Sequence, residues 1–423
     1  MFPLEKFFCN AASADMKRVV VTGMSAITPI GQDWTTVCSN LQQLRTGISY
    51  MPEWEEYKGL NTRLAAPVTD FVLPHHYTRK VIRSMGRGSI MATRVTELAL
   101  EQAGLLGDEC IGDGTMGIAY GSSSGSPEAI MDFGSLMLNK TAGTLNANTY
   151  IKMMAHTAPV NLVVFFGLKG RVYTTSSACT SGSQGIGYAY EAIKHGQQSR
   201  MVAGGTEELS ISQAAIFDTL FATSTRNNVP EQTPRPFDSK RDGLVVGEGA
   251  ATLILEDLDL AQARGAQILA EVVGYGTNCD GAHVTQPSRE TMRVAMQLAL
   301  KDAGLDASAI GYISAHGTST DRGDVAESQA TFDVFGNKVA ISAMKSFTGH
   351  TLGGCGGIEA WAGIEMMNAD SFHATANLDE VDPLCADLDY IRGQSRALSC
   401  EYFMSNNFAF GGINTSLIFK RWA

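Results

Sequence analysis

Short runs of β-branched and apolar residues that end close to a glycine alternate with longer stretches of helical periodicity along the chain. The runs predicted to be strands are residues 18–23, 116–121, 201–205, 251–256 and 271–276. The stretches predicted to be helices are residues 91–103, 183–195, 258–264, 291–303 and 358–367. This alternation is typical of an α/β protein in which helices cover a sheet.

A faint repetition in the order of elements divides the chain into two similar halves. After a first strand, VVVTGM, come GIAYGSSSG and the strand–turn–helix segment TTSSACTSGSQGIGYAYEAI. In the second half, EVVGYGTN is followed by GYISAHGTST and by ISAMKSFTGHTLGGCGGIEAWAGI. We therefore expect an N-terminal half over residues 16–270 and a C-terminal half over residues 271–423. Residues 1–15, which precede the first strand, are expected to be an extension outside the fold.

Composition and charge exclude several classes of protein. The 423 residues, 44% of them hydrophobic and 18% charged, have the balance of a globular protein with a large core. Acidic residues outnumber basic ones by 43 to 32, and a formal net charge of −11 makes nucleic acid a poor candidate partner. The longest apolar stretch, residues 158–168, is too short to cross a bilayer and is predicted to be a buried helix. The eight scattered cysteines lack a C-x-x-C pair, which disfavours a zinc site, and we expect them to stay reduced in a cytoplasmic protein.

Cys179 lies in a tight turn of small residues, YTTSSACTSGSQG, between a predicted strand and an amphipathic helix. A sulfur at a helix N-terminus meets unpaired N–H groups and the positive end of the helix dipole, which favour the thiolate. The small neighbours leave room for a substrate and let backbone amides face a developing oxyanion. This is the arrangement of a nucleophile elbow with cysteine in place of serine, although most single cysteines are buried structural residues.

Two histidines occupy similar positions after predicted strands. His316 ends a strand in YISAHGTST, and His350 precedes a glycine-rich helix start in KSFTGHTLGG. Together with Cys179 they can form a thioester and then stabilise an enolate through two imidazole N–H donors. Lys345 could hold a histidine or polarise the site, or could be a solvated surface lysine. Glu359, on the next helix, could anchor Lys345 or a cation, or could be an ordinary helical glutamate.

Near the C-terminus, the segment SNNFAFGGINTS places Phe408 and Phe410 beside Gly411 and Gly412. Paired glycines permit a mobile loop, and an aromatic side chain on such a loop can close an apolar pocket. Core packing explains the same pattern equally well.

From Lys17 to the C-terminus these motifs resemble the elongating β-ketoacyl-[acyl-carrier-protein] synthases of the thiolase-like superfamily. The resemblance rests on VVVTGM, SSACTSGSQGIG, PRPFDSKRDG with GEGA, AHGTST, KSFTGHTLG with GGIEA, and SNNFAFGGIN. It implies an α/β, thiolase-like five-layered αβαβα fold made of two similar halves, and a homodimer. It also implies a decarboxylative Claisen condensation of a Cys179-bound acyl group with malonyl carrier protein, which extends the chain by two carbons in fatty-acid biosynthesis.

The resemblance also assigns roles to single positions. Cys179 would be the acylated nucleophile, and His316 and His350 would support decarboxylation, with Lys345 and Glu359 behind them. Phe410 would be the gate, with Phe408 beside it, and its amide would join that of Cys179 in the oxyanion hole. The remaining assignments are Thr318 and Thr320 for the phosphopantetheine arm, Ser124 for the acyl pocket, and Ser314, Ala315, Glu359, Ser405 and Asn406 for a structural Na⁺ or K⁺ ion.

No further cofactor is implied, because the substrates would arrive on the phosphopantetheine of an acyl carrier protein. An acidic carrier requires a local basic patch on an enzyme that is itself acidic. Arg79, Lys80, Arg83 and Arg87 recur with helical spacing where the family docks its carrier. An ordinary solvated basic face is the alternative.

Several positions depart from the family's pattern. Ala409 replaces a glycine and should stiffen the gate, Ile413 replaces a threonine, and Ser314 stands where asparagine is usual, which puts the cation in doubt. Small Ser124 replaces a bulky aliphatic residue of some relatives. Because of these changes, an alternative function is that of a specialised ketosynthase in an aryl-polyene or type II polyketide pathway.

A non-catalytic chain-length-factor-like partner subunit, or a heterodimer with such a chain, is an alternative of another class. The presence of Cys179 argues against the non-catalytic alternative. The sequence does not disclose the length or saturation of the acyl chain.

Overall fold

The structure, a computed structural model, describes residues 16–143 and 145–423, so the expected extension over residues 1–15 lies outside the described residues. The strands are β1 (Val19–Ile27), β2 (Ser49–Tyr50), β3 (Leu64–Ala66), β4 (Met116–Gly121), β5 (Val172–Thr174), β6 (Arg200–Glu207), β7 (Val246–Gly247), β8 (Gly249–Asp257), β9 (Ala270–Cys279), β10 (Ile310–Ser314), β11 (Ala340–Ser342), β12 (Ser371–Phe372), β13 (Asp389–Tyr390), β14 (Arg396–Ala397), β15 (Tyr402–Phe408) and β16 (Ile413–Arg421). The helices are α1 (Trp34–Gln42), α2 (Arg79–Ile82), α3 (Arg87–Gln102), α4 (Pro127–Asn139), α5 (Ala147–Met153), α6 (Thr157–Phe166), α7 (Ser181–Lys194), α8 (Ile211–Thr219), α9 (Leu258–Ala263), α10 (Arg289–Ala303), α11 (Asp321–Phe335), α12 (Lys345–Thr348) and α13 (Cys355–Asn368).

The main sheet has the strand order β13-β11-β10-β15-β16-β9-β1-β8-β6-β4-β5. Strands β1 and β8 pair along nearly their whole length, whereas β1 meets β9 only at Val19–Val21. This narrow junction separates a half that ends in β1 from a half that begins at β9. Both β1 and β8 are buried along almost every residue, which is typical of strands that are covered on both faces.

The helices form three layers around these two halves of the sheet. Helices α7 and α13 pack on each other and on strands of both halves, so they make the central layer. Helix α3 packs on β1 and β8, and α10 packs on β9 and β16, which makes the two outer layers. The result is the expected five-layered αβαβα fold.

The two central helices approach each other at glycines. A Cβ on Gly182 of α7 would lie 2.8 Å from the backbone nitrogen of Gly357, and one on Gly356 of α13 would lie 2.6 Å from the backbone nitrogen of Ser183. Because real Cβ atoms do not tolerate such distances, only glycine allows this packing. The close approach brings the starts of α7 and α13 to the same place.

Each strand and helix predicted from the pattern is present, with ends that differ by a few residues. The prediction for residues 158–168 is wrong about burial, because α6 leaves Val164 exposed on its outer face. The division at residues 270 and 271 falls at the start of β9 and stays a prediction. In the described ranges no helix combines the length and the apolar character that a bilayer crossing requires.

Candidate active site

Cys179 lies in a short 3-10 turn, Ala178–Thr180, which runs directly into α7. The residue before it, Ala178, has a φ of 54°, a left-handed conformation that is costly for a residue with a side chain. Hydroxyl groups stabilise the turn, because Thr180 Oγ1 donates to the carbonyl of Ser177 and Ser181 Oγ donates to that of Ala178. The elbow expected from the sequence is therefore present.

The sulfur faces a cavity of about 400 Å³. Predicted site residues that line this cavity come from four separate parts of the chain, and they are Cys179, His316, Thr318, Thr320, His350, Phe408 and Phe410. Parallel pairing of β4 with β5, and separately of β10 with β11, aligns the carboxyl ends within each pair; Cys179 follows β5, His316 follows β10, and Lys345 and His350 follow β11. The fold thus assembles most of the residues that the sequence singled out.

The sulfur and two imidazoles form a compact group. His350 Nε2 lies 3.0 Å from Cys179 Sγ. A ring nitrogen of His316 and one of His350 both lie within 4.8 Å of the sulfur and of each other. The two rings meet edge to face, with centroids 5.1 Å apart.

The hydrogen bonds define the tautomer of each imidazole. The backbone N–H of Leu352 donates to Nδ1 of His350 at 3.2 Å. The ammonium of Lys345, which can only donate, lies 3.1 Å from Nδ1 of His316. Because Nδ1 accepts in both rings, the single proton of each neutral ring is on Nε2. Both Nε2–H groups are therefore available to the cavity as donors.

The same surroundings keep both rings neutral. Burial, together with the positive charge of Lys345 and the nearby His350, holds the pKa of His316 well below its usual range. Burial and Lys345 likewise hold the pKa of His350 well below its usual range. Neutral imidazoles can donate hydrogen bonds without carrying a charge into the cavity.

The expectation that the turn favours a thiolate is wrong for the resting protein. Burial raises the pKa of Cys179 to about 11, although Lys345 and the backbone N–H groups of Phe410 and Cys179 act in the opposite direction. Desolvation of a buried anion outweighs the helix terminus here. The resting group is a neutral thiol, surrounded by donors that stabilise negative charge once it develops.

Lys345 and Glu359 lie behind the histidines, outside the cavity. They are almost wholly buried, and Lys345 Nζ donates to Glu359 Oε1 at 2.5 Å. Burial alone would lower the pKa of Lys345, but the neighbouring Cys355 and Glu359 raise it overall, so it stays an ammonium. The alternative of a solvated surface lysine is therefore wrong.

The sequence reasoning missed two buried residues beside His316. Glu327, on α11, lines the cavity and accepts the backbone N–H groups of His316 and Gly317, each at 2.7 Å. Burial raises the pKa of Glu327 to about 8. Asn407, on β15, donates to Glu359 Oε2 at 2.6 Å. No motif or spacing in the sequence marks either residue as functional. Glu327 resembles any other glutamate on a helix, and Asn407 lies beside the glycine-rich loop.

The aromatic loop closes one side of the cavity. Phe410 packs against Phe217 with centroids 5.2 Å apart, and Phe408 lies 6.1 Å from His316. The loop is hydrogen bonded across its base, since the N–H of Ala409 donates to the carbonyl of Ile413. Gly411 and Gly412 have φ values of 89° and 72°, a conformation that requires glycine. Movement of this gate stays a prediction.

The residues expected to hold a Na⁺ or K⁺ ion are all buried, and the ion itself stays a prediction. Lys345 and Asn407 already donate to the two oxygens of Glu359. Asn406 Oδ1 accepts from Ser416 at 2.7 Å, whereas Asn406 Nδ2, Ser405 Oγ and Asn407 Oδ1 have no hydrogen-bond partner among the described residues. A hard cation needs oxygen ligands, and this set offers the unpartnered Ser405 Oγ together with the carboxylate of Glu359, whose oxygens already accept hydrogen bonds. Ser314 and Ala315, at the end of β10, and Ser405 complete the set; they are buried and add no second charge.

The residue predicted for the acyl pocket lies outside the cavity lining, whereas the two residues predicted for the phosphopantetheine arm belong to it. Ser124 is absent from the cavity lining, and its hydroxyl contacts Glu207 and Gln213, each at 3.4 Å. Thr318 and Thr320 line the cavity and their hydroxyls lie 2.9 Å apart. Their assigned roles, in the acyl pocket and at the phosphopantetheine arm, stay predictions.

The basic residues divide into two groups. Arg79, Lys80 and Arg83 are exposed and line a separate surface groove. Arg87 instead pairs with buried Glu248 at 2.9 Å and donates to the carbonyl of Val68. Arg87 also lines this groove and its side chain is 40% exposed, so its part in the basic patch stays a prediction although Glu248 pairs with its charge.

Comparisons with known proteins agree with this geometry. Residues 16–261 match the family model described as "Beta-ketoacyl synthase, N-terminal domain" and residues 269–379 the one described as "Beta-ketoacyl synthase, C-terminal domain". The chain is 39% identical to "3-oxoacyl-[acyl-carrier-protein] synthase 2" of Synechocystis sp., over 97% of this chain and all of that protein.

Two solved structures show the same likeness. A beta-ketoacyl synthase from Burkholderia phymatum superposes with a TM-score of 0.95 and 59% identity, covering 96% of this chain and all of that one. The ishigamide ketosynthase/chain length factor superposes with a TM-score of 0.87 and 29% identity, over 96% of this chain and all of that one.

The raised pKa of Cys179 predicts how its alkylation depends on pH. Below its pKa a thiol gains about tenfold in thiolate per pH unit, and an ordinary thiol with a pKa of about 8.5 levels off near pH 9. We expect the rate of carbamidomethylation of Cys179 by iodoacetamide, followed by peptide mass spectrometry, to rise about tenfold between pH 9 and 10. The carbamidomethylation that remains in the Cys179→Ser variant measures the background of the assay. A rate that levels off below pH 8 would contradict the neutral resting thiol.

Proposed function

The chain belongs to the β-ketoacyl synthase family, and we propose that it catalyses the elongating condensation of fatty-acid biosynthesis as a 3-oxoacyl-[acyl-carrier-protein] synthase. The observation that carries the proposal is the pair of neutral imidazoles beside one buried sulfur, with His350 Nε2 3.0 Å from Sγ and a ring nitrogen of His316 within 4.8 Å of it. The sulfur supplies a nucleophile, and the two donors match the oxygen of an enolate. A non-catalytic partner subunit has no need of this arrangement.

In the first half-reaction Cys179 Sγ attacks the thioester carbonyl of an acyl carrier protein. The carbonyl oxygen becomes an oxyanion that the backbone N–H groups of Cys179 and Phe410 stabilise. The bond to the pantetheine sulfur then breaks, and the proton of the thiol goes to that leaving sulfur. The product is an acyl thioester on Cys179 and a free carrier thiol.

In the second half-reaction malonyl carrier protein occupies the cavity. The bond between its methylene carbon and its carboxylate breaks, carbon dioxide leaves, and the electron pair stays on the methylene carbon as an enolate. Nε2–H of His316 and of His350 stabilise the enolate oxygen. The carbon attacks the Cys179 thioester, and the expelled thiolate takes a proton from solvent. The product is a β-ketoacyl carrier protein that is two carbons longer.

The exposed side chains of Arg79, Lys80 and Arg83 form the basic patch of this proposal, and the partner is an acyl carrier protein. They line one groove together with Arg87 and Lys152, so five basic residues lie there on an acidic protein, against two acidic ones, Glu128 and Asp132. Complementary charge mainly accelerates and orients association. Thr318 and Thr320 are proposed to contact the phosphopantetheine arm.

The edge of the sheet at β5 supports a homodimer. Strand β5 ends the sheet, so its outer backbone groups are unpaired within the sheet, and the neighbouring helices α4 to α6 expose apolar side chains. Met131, Met137, Leu138 and Val164 are each at least two-thirds exposed. An apolar surface beside an open edge strand marks an interface. A heterodimer with a ketosynthase-like chain would use the same surface.

A cytoplasmic location is also part of this proposal. It agrees with cysteines that form no disulfide, such as Cys38 and Cys279.

Acylation of Cys179 tests the proposed reaction. Incubation with acyl carrier protein thioesters is expected to add one acyl group to Cys179, seen by intact-protein mass spectrometry, and malonyl carrier protein should then release a product two carbons longer. Cys179→Ala is expected to lose both steps, by at least a thousandfold in turnover. No adduct with any carrier substrate would instead support the non-catalytic partner. A strong preference for polyunsaturated acyl groups would support the polyene or polyketide alternative.

Charge reversal tests the basic patch. Lys80→Glu combined with Arg83→Glu is expected to raise the apparent KM for carrier-bound substrates about tenfold or more with little change in kcat, because the change removes long-range attraction. The same charge change at Lys301 and Lys338, which are also exposed, is the matched control. An equal loss with pantetheine thioesters that lack the carrier protein would contradict docking at this patch.

Val164→Asp tests the proposed dimer surface. A charge at this exposed position of α6 is expected to leave folding intact but to weaken an apolar interface, so light scattering at micromolar concentration should detect monomer. Leu384→Asp, at a similarly exposed apolar position in the other half, should leave the mass unchanged. A wild-type chain that is monomeric at these concentrations would refute the dimer outright.

A further inference from the structure

Asn407 occupies an unusual place behind His316. It lies on β15, it is completely buried, and pairing with Thr415 on β16 fixes its backbone. Its carboxamide Nδ2 lies 2.6 Å from Glu359 Oε2 and 3.4 Å from His316 Nδ1. One side chain therefore contacts both the base of the lysine–glutamate pair and the decarboxylating imidazole.

The orientation of this carboxamide follows from its neighbours. Glu359 presents a carboxylate, so the NH₂ group must face it, since an amide oxygen at that distance would be repelled. The other end, Oδ1, has no hydrogen-bond partner among the described residues. Gly356 makes the space for it, because a Cβ there would lie 2.7 Å from Oδ1. A buried amide that leaves its oxygen unpaired gives up hydrogen-bond energy, which its donor end must compensate.

The contacts form a chain that leads to His316. Lys345 Nζ can donate to Nδ1 of His316 only while its position is fixed, and Glu359 Oε1 fixes it at 2.5 Å. The carboxylate can rotate about its own axis unless its second oxygen is also held. Asn407 holds that oxygen. It thereby fixes the ammonium, the tautomer of the imidazole and the direction of Nε2–H.

We propose that Asn407 is a positioning residue for the decarboxylation half-reaction, acting through Glu359 and Lys345 on His316. The inference rests on the proposed function, and it adds that the two half-reactions depend differently on Asn407. Acyl transfer uses Cys179 Sγ and the backbone amides of Cys179 and Phe410, and Nδ2 of Asn407 contacts none of these atoms.

The experiment measures the two half-reactions separately. Asn407→Asp keeps the size of the side chain and removes the donor, whereas Asn407→Ala removes the side chain without adding a charge. In both variants we expect release of carbon dioxide from malonyl carrier protein to fall at least tenfold in a single turnover. Acylation of Cys179, followed by mass spectrometry, is expected to stay within about twofold of the wild type.

A matched control reports the general effect of an Asn→Asp change at a buried amide. Asn161, on α6, donates to Thr157 and to the carbonyl of Ser84, far along the chain from the site. Asn161→Asp is expected to keep the wild-type ratio of the two half-reactions, whatever it does to the melting temperature.

Two results would overturn the inference. One is a wild-type rate of carbon dioxide release in Asn407→Ala and Asn407→Asp. The other is a parallel fall of both half-reactions in Asn407→Ala, which would mean that the residue only supports the fold. A wild-type protein that neither acylates Cys179 nor decarboxylates malonyl carrier protein would instead refute the proposed function.

Discussion

The chemistry of this molecule depends on one constraint: the Nδ1 atoms of two buried imidazoles both accept hydrogen bonds, so both protons are on Nε2. For His350 the donor is the backbone N–H of Leu352, and for His316 it is the ammonium of Lys345. A ring with the opposite tautomer would present a lone pair to the cavity and would repel an enolate oxygen. The rest of the site either supplies these donors or keeps the rings uncharged.

Close packing of the central layer makes this constraint possible. The starts of α7 and α13 meet through glycines, where added Cβ atoms would clash with the opposing backbone. Glu207, fully buried, then accepts N–H groups from Ser123 and Gly353, so it ties the loop after β4 to the segment after His350. The 3.0 Å distance between His350 and Cys179 is thus set by rigid backbone contacts rather than by the two side chains alone.

The sequence was sufficient for the fold and for Cys179, His316 and His350 in the cavity, because both leave local signals. Strands and helices follow hydrophobic periodicity, and Cys179, His316 and His350 each lie in a turn of small residues. Asn407 and Glu327 leave no such signal, since their roles come from tertiary contacts with His316 and Glu359. The state of the thiol was misjudged for a related reason: the helix terminus can be read locally, but the burial that outweighs it cannot. The engagement of Arg87 by Glu248, 161 positions away, was equally invisible.

The charge distribution behind the cavity explains why neutral rings suit the proposed reaction. A cationic imidazolium would pair with the malonyl carboxylate and would stabilise the substrate before carbon dioxide leaves, which raises the barrier. A neutral N–H donor gains most when negative charge has moved to the enolate oxygen, so it stabilises the transition state more than the substrate. Burial and the positive charge of Lys345 depress both imidazole pKa values, while Glu359, itself held by Asn407, keeps the ammonium outside the cavity. The buried ammonium thus lowers the pKa of the imidazoles without pairing with the carboxylate of the malonyl substrate. A solvated lysine at the cavity wall would pair with that carboxylate.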